Sequence, residues 1–208
     1  MKKKELTTNQ IIEAAFELFA EQGIERTSLS MIAGKVGITK PSIYYHFATK
    51  DELVSRTYEY IFRNHQFGKY FQQEPVMSAS FRETLYQGGL HMLPDGSKEH
   101  LASLRVLSEF MMLAERDELY RARLTDMQQE FLDGFHNLLV KGVELGVVAP
   151  RNVAYKAHML ALVIDNLSRC MMMKVVMDYQ GVWGETVDSI LLDAAKEEHK
   201  ISKIGRSG

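Results

Sequence analysis

The strongest constraint on this chain is the close spacing of helix starters and stoppers between Phe19 and Leu53. Gly23 suits the left-handed backbone that ends a helix, and Thr27 or Ser28 is placed to cap the next one. Gly37 stops that helix after about two turns. Thr39 offers a hydroxyl to start a third, and Pro41 falls in its first turn, where a missing N–H leaves no bond unmade. Thr49 starts a fourth, with Asp51 and Glu52 where negative charge suits the helix dipole. Such punctuation fits only short helices joined by tight turns. The apolar positions agree: Leu29, Ile32, Ala33 and Val36 recur at helical spacing, and Ile43 and Phe47 follow one turn apart.

Helical periodicity continues on both sides. Upstream, a first helix is expected from about Thr8 to Gln22, with Ile11, Ile12, Ala15, Phe16, Leu18 and Phe19 on one broad face. Glu13, Glu17 and Glu21 lie four apart on the other face and read as a solvated side. The third helix is expected from Lys40 to about Phe47. Beyond Leu53 the helices lengthen, at roughly 50–70, 79–93, 98–116, 119–146, 151–178 and 183–199, with breaks at "QQEPVMS", "LPDGS", "GVVAP" and "DYQG". Strand signals are nearly absent. The predicted fold is all-α: a three-helix unit over residues 1–50, a larger helical bundle over 51–200, and a disordered polar tail at 201–208.

Charge narrows the function. The formal net charge is −2, yet residues 26–50 hold four basic side chains (Arg26, Lys35, Lys40, Lys50) and no Asp or Glu. A surface that approaches phosphates must exclude carboxylates, which would oppose counterion release. No apolar run reaches the roughly 18 residues of a membrane span, and "MKKKELTTNQ" lacks the apolar core of a signal peptide. The single cysteine, Cys170, admits no internal disulfide and points to the cytoplasm. Enzyme chemistry finds no constellation: Cys170 has no neighbouring His, the seven histidines lack metal-ligand spacing, and no phosphate- or dinucleotide-binding glycine loop is present. No cofactor is expected.

The second and third helices have the spacing of a helix-turn-helix, or of a plain helical hairpin. Ala33 stands where the two cross, Gly37 follows four residues on at the turn, and Ile43 comes six after that as the buried anchor of the second helix. With Ile43 and Phe47 turned inward, Lys40, Ser42, Tyr44, Tyr45 and His46 are left outside. Hydroxyls, ammonium groups and a helix N-terminus are the usual donors to DNA phosphates, and one or two such side chains reach base edges.

"IIEAAFELFAEQGIERTSLSMIAGKVGITKPSIYYHFATKDEL" resembles the N-terminal DNA-binding domain of the TetR family of bacterial transcriptional regulators, including Phe19, Gly23, Thr27, Ala33, Gly37, Tyr44, His46, Phe47 and Lys50. The resemblance implies a ligand-responsive regulator, most often a repressor, that binds a palindromic operator in double-stranded DNA as a homodimer and is released by a small, largely apolar effector. The alternative is a constitutive DNA-binding dimer. It also implies roles. Thr27, with Ser28 beside it, binds a phosphate at the mouth of the second helix. Lys40, Pro41, Ser42 and Tyr45 face the major groove, with Thr39 beside them as a further DNA-binding candidate, and Tyr44, His46 and Lys50 clamp the backbone. Pro41 departs from the small residue common there.

The larger bundle is less explicit. In "HMLALVIDNLSRCMMMKVVM", Leu160, Ile164, Leu167 and Met171 follow a 4-3-4 spacing, and Val187, Ile190, Leu191 and Ala194 do likewise in the last helix. Helices this apolar need cover from more than one neighbour. The resemblance implies a four-helix dimer interface with the same pair of a second subunit; burial within one subunit is the alternative. For an effector pocket, the candidates are Phe110, Met111, Tyr120, Phe131, Phe135, Met172 and Trp183, since aromatic and thioether side chains suit an apolar ligand. Asp165, Asn166 and Arg169 either orient its polar end or form a polar cluster at the dimer seam. Gly88 and Gly89 either kink their helix or leave room for the ligand.

Overall fold

A computed structural model describes residues 2–71 and 76–192. Its described residues form ten α-helices, and the only strand-like pairing among them is an isolated antiparallel bridge between Val148 and Leu191. The chain divides into two compact units, Met1–His65 with Gly96–Thr125 and Gln66–Asp95 with Asp126–Gly208.

The first unit holds α1 (Lys2–Gln22), α2 (Leu29–Val36), α3 (Lys40–Tyr44) and α4 (Lys50–Asn64). It also holds α7 (Lys98–Ala114) and the opening turns of α8 (Glu118–Glu144). Punctuation acts as the sequence expects. Gly23 and Gly37 take positive φ of 89° and 77°, and the Ser28 and Thr49 side chains accept from the N–H groups of Met31 and Glu52. Ile11, Ala15, Phe19, Ile32, Ile43, Phe47, Leu53 and Phe110 fill one core. The expected fourth helix of 50–70 is shorter, because His65 leaves helical geometry (φ −110°, ψ 73°) and a four-residue α5 (Phe67–Tyr70) follows.

The second unit contains α5, a 3₁₀ turn at Ser78–Ser80, α6 (Phe81–Met92), the rest of α8, α9 (Val153–Met172) and α10 (Tyr179–Ile190). Several of its glycines are covered by rings. A Cβ at Gly88 would sit 2.3 Å from Phe71, one at Gly89 2.2 Å from Trp183, and one at Gly134 2.3 Å from Phe67. Gly88 and Gly89 therefore neither kink α6 nor leave room for a ligand; they let aromatic rings approach the helix backbone. Trp183 is fully buried and its Nε1–H donates to the Tyr86 carbonyl at 3.0 Å. Arg82 on α6 forks onto Asp188 on α10 at 2.7 and 2.9 Å.

Both late helices depart from expectation. The last begins at Tyr179 rather than 183, because Asp178 caps it by accepting from the Gly181 N–H at 2.9 Å. "DYQG" is thus a start and not a gap: the Asp178 carboxylate lies 2.4 Å from where a Cβ on Gly181 would be. Helix α9 ends at Met172, and Lys174 takes a positive φ of 57°.

The residues expected at a dimer seam are mostly interior. Leu160, Ile164, Leu167, Val187, Ile190 and Leu191 are buried in the chain's own core, and Met171 is half-buried against it. The physical reason is that α9 is apolar on two sides, and its 4-3-4 row faces α6 and α10. Another row points outward: Tyr155 and Leu162 are 68% and 64% exposed, Met159 and Met173 are exposed, and Val182 joins them on α10. Ala194, the end of the predicted 183–199 helix and the 201–208 tail lie outside the described residues.

Candidate nucleic-acid interface

The α2–α3 hairpin is fixed from within. Ile32 and Ile43 are fully buried, Ala33 and Phe47 nearly so. The turn closes through Ile38 N–H to the Ala33 carbonyl at 3.0 Å, with Gly37 in the left-handed conformation that this closure needs. Thr39 precedes α3, but its hydroxyl pairs with Ser42 Oγ at 2.8 Å instead of capping the backbone. Helix α3 ends at Tyr44; the His46 and Phe47 N–H groups then both donate to the Ile43 carbonyl.

Along the outer side of α3, Lys40 and Pro41 are exposed, Ser42 is half-buried, and Tyr44 and Tyr45 are 50% and 70% exposed. Tyr45 lies edge-on to His46, with ring centroids 5.5 Å apart, and His46 Nδ1 pairs with Thr8 Oγ1 of α1 at 2.8 Å. Ser28 caps α2 from an exposed position. These residues share the surface that the hairpin presents.

Two expected phosphate contacts are placed differently. Thr27 is buried, and its hydroxyl donates to the Gly23 carbonyl at 2.8 Å, inside the α1–α2 turn. Lys50 sends Nζ to the Ile24 and Glu25 carbonyls at 2.6 and 3.2 Å. Both are spent on shaping the turn before α2. The acid-free window is likewise not acid-free in space. Lys35 meets Glu17 of α1 at 2.8 Å and Glu21 at 3.9 Å, and the Glu17 hydrogen bond raises the Lys35 pKa above its ordinary value.

Two positioning groups escape a reading of the sequence. Glu109 of α7 accepts from the Ile24 N–H at 2.9 Å, and its carboxylate lies 3.0 Å from where a Cβ on Gly23 would sit. Thr8 orients His46. These partners are 85 and 38 residues apart, and no local pattern reports such a pairing.

The candidate effector residues do not gather in one place. Phe110 packs edge-on and Tyr120 tilted against Tyr58 in the first unit's core, while Met111 is exposed on α7. Phe131, Phe135 and Trp183 belong to the second unit's core, and Met172 is half-buried. Asp165, Asn166 and Arg169 lie on the exposed side of α9. Among the described residues, no group of three His, Cys, Asp or Glu is placed to hold a metal ion, and no helix is long and apolar enough to cross a membrane.

Residues 11–57 match the family model for bacterial regulatory proteins of the tetR family. The HTH-type transcriptional regulator AcrR of Shigella flexneri is 42% identical over 53 residues, which make up 26% of this chain and 25% of AcrR; the chain thus matches about a quarter of the length of such relatives. A TetR transcription regulator from Haloarcula marismortui shares the fold with TM-score 0.74 at 18% identity, over 90% of this chain and 100% of that one. SmeT, the repressor of the Stenotrophomonas maltophilia multidrug efflux pump SmeDEF, aligns with TM-score 0.63 at 20% identity, over 90% of this chain and 92% of its own; it is also known in complex with triclosan. Residues 11–57 thus match the DNA-binding domain of the tetR family of bacterial regulatory proteins, and the chain as a whole shares the all-helical fold of solved regulators.

Proposed function

We propose that the chain is a transcriptional repressor that binds a two-fold symmetric operator as a homodimer and releases it when a small, largely apolar molecule binds. The observation that carries this reading is the outer side of α3. Tyr44, Tyr45, Lys40 and Pro41 stand exposed along α3 and the residue that follows it, beside the buried anchors Ile43 and Phe47, where a DNA groove can reach them. Lys40 supplies charge toward phosphate, and Tyr45, more exposed than Tyr44, reaches base edges. The effector half of the reading draws support from SmeT, which binds triclosan on a similar fold.

Dimerisation is assigned to the outward row of α9 and α10, Tyr155, Met159, Leu162, Met173 and Val182, in place of the buried row. An apolar stripe of this extent on a chain's exterior marks a partner surface, and a symmetric pair would set two α3 helices on successive half-sites.

Fluorescence anisotropy on DNA from the intergenic region beside the coding locus tests the reading. Tyr45→Ala should cost about 1–3 kcal/mol on the specific site and little on random DNA. Equal loss on both sequences, or none on either, would remove Tyr45 from base readout. Failure of the unaltered protein to prefer any segment of that DNA would sink the regulator reading itself.

A further inference from the structure

A cleft of about 690 Å³ opens in the first unit between α1, α4 and α7. It is large enough for a drug-sized molecule. Phe16, Ala20 and Tyr60 line it with Leu101 and Ala102, giving an apolar and aromatic floor; the Phe16 and Tyr60 rings lie 6.0 Å apart at 57°.

The rim is charged. Glu13, Glu17 and Glu21 come from successive turns of α1, and Lys98, Glu99 and Arg105 from α7. Four carboxylates therefore face two cations. Lys35 engages Glu17 and Glu21 from outside the cleft, whereas Glu13 and Glu99 have no ion pair among the described residues. The Tyr60 hydroxyl likewise makes no hydrogen bond among them. Burial pushes the Tyr60 phenol above its ordinary pKa, and Glu13, Glu99 and Glu17, which line the same cleft, push it the same way.

Uncompensated carboxylates around an aromatic floor are the features that recognise an organic cation: the ring face attracts it, the acids hold it, and the apolar walls cover its body. We propose that this cleft binds a compact amphipathic organic cation, its charge between Glu13, Glu99 and the Tyr60 ring and its apolar part against Phe16, Leu101 and Ala102. None of the effector candidates lines this cleft, and its occupancy does not depend on the DNA-binding reading.

Tetraphenylphosphonium and tetraphenylborate have the same shape and opposite charge, and isothermal titration of the full chain with each tests the proposal. The phosphonium should bind and the borate should not. The double variant Glu13→Gln/Glu99→Gln should weaken phosphonium binding about tenfold, the combined effect of two exposed charge contacts. Ala102→Leu, which fills the floor, should abolish it. Both acids are exposed, so the double variant should fold normally, and circular dichroism would verify this for all variants. The proposal fails if the phosphonium does not bind, if the borate binds as tightly through Lys98 and Arg105, or if phosphonium affinity is the same in the double variant.

Discussion

The α2–α3 hairpin and the α9–α10 pair are both helical hairpins on an apolar core, and they differ in how their outer faces are specified. In α2–α3 each helix has so few residues that Leu29, Ile32, Ala33 and Ile43 use up the inward positions and no other residue of the two helices is buried. Helix α9 has 20 residues and apolar groups on two sides. Leu160 and Leu162 stand two apart in sequence, yet one is fully buried and the other 64% exposed. A short, capped helix declares its inside locally; a long two-sided one leaves the choice to its neighbours.

That contrast can be broken most directly in α9. Leu160→Ala should cost about 2–5 kcal/mol in chemical denaturation, as a large-to-small change in a closed core does. Leu162→Glu should change monomer stability by only about 0.5 kcal/mol. It should instead shift the sedimentation profile from dimer to monomer. If Leu162→Glu remains a dimer and Leu160→Ala dissociates without unfolding, the two rows have been assigned the wrong way round.

The hairpin's apparent self-sufficiency has a limit at the α1–α2 turn, where Glu109 holds the Ile24 N–H from α7. Glu109→Ala leaves that buried-side donor unpaired and should lower stability by about 1–3 kcal/mol. Exchange of the Ile24 amide with deuterium should speed up in the same variant. An unchanged exchange rate would show that the turn stands without α7.

Lys50 offers a finer test, because the family pattern gives it to DNA and the geometry gives it to the Ile24 and Glu25 carbonyls. Lys50→Ala should weaken specific and random DNA binding together by disturbing the turn, while the slope of log affinity against log salt stays within about 0.3 of the original. A fall in slope of about 0.9 would return Lys50 to the phosphate contacts.

The smallest effects separate two lysines of the same acid-free window. Lys40→Ala should reduce the salt slope by about 0.9, as the loss of one phosphate contact does. Lys35 is already paired with Glu17, so Lys35→Ala should leave the slope unchanged and alter stability by about 0–1 kcal/mol. Equal slopes for both variants would mean that the window acts as a whole and that pairing within the chain does not matter.

Much of the first unit was legible because its signals are local. Gly23, Ser28, Gly37 and Thr49 each fix a boundary through bonds to residues within five positions, and such bonds follow from residue type. The candidate surface was half legible by the same rule. Tyr44 and Tyr45 are outside because Ile43 and Phe47 take the inside. Thr27 and Lys50 are turned inward by carbonyls of the α1–α2 turn, whose positions depend on how α1, α4 and α7 meet. The effector candidates scattered for a related reason: aromatic and methionine side chains fit a core or a pocket equally well, and only packing separates the two.

The sequence by itself determined that the chain is all-helical, where its short helices start and stop, and that one brief helix must present tyrosines and a lysine to the outside. Backbone capping, glycine conformations and 3.6-residue periodicity act over a few residues, so they need no partner from elsewhere in the chain. Only the tertiary structure decided that Lys35 is neutralised by α1, that Glu109 and Lys50 grip the turn before α2, and that Leu162 rather than Leu160 looks outward. Those outcomes depend on which surfaces meet across long stretches of chain, and a charge or an apolar side chain carries no record of what it will meet.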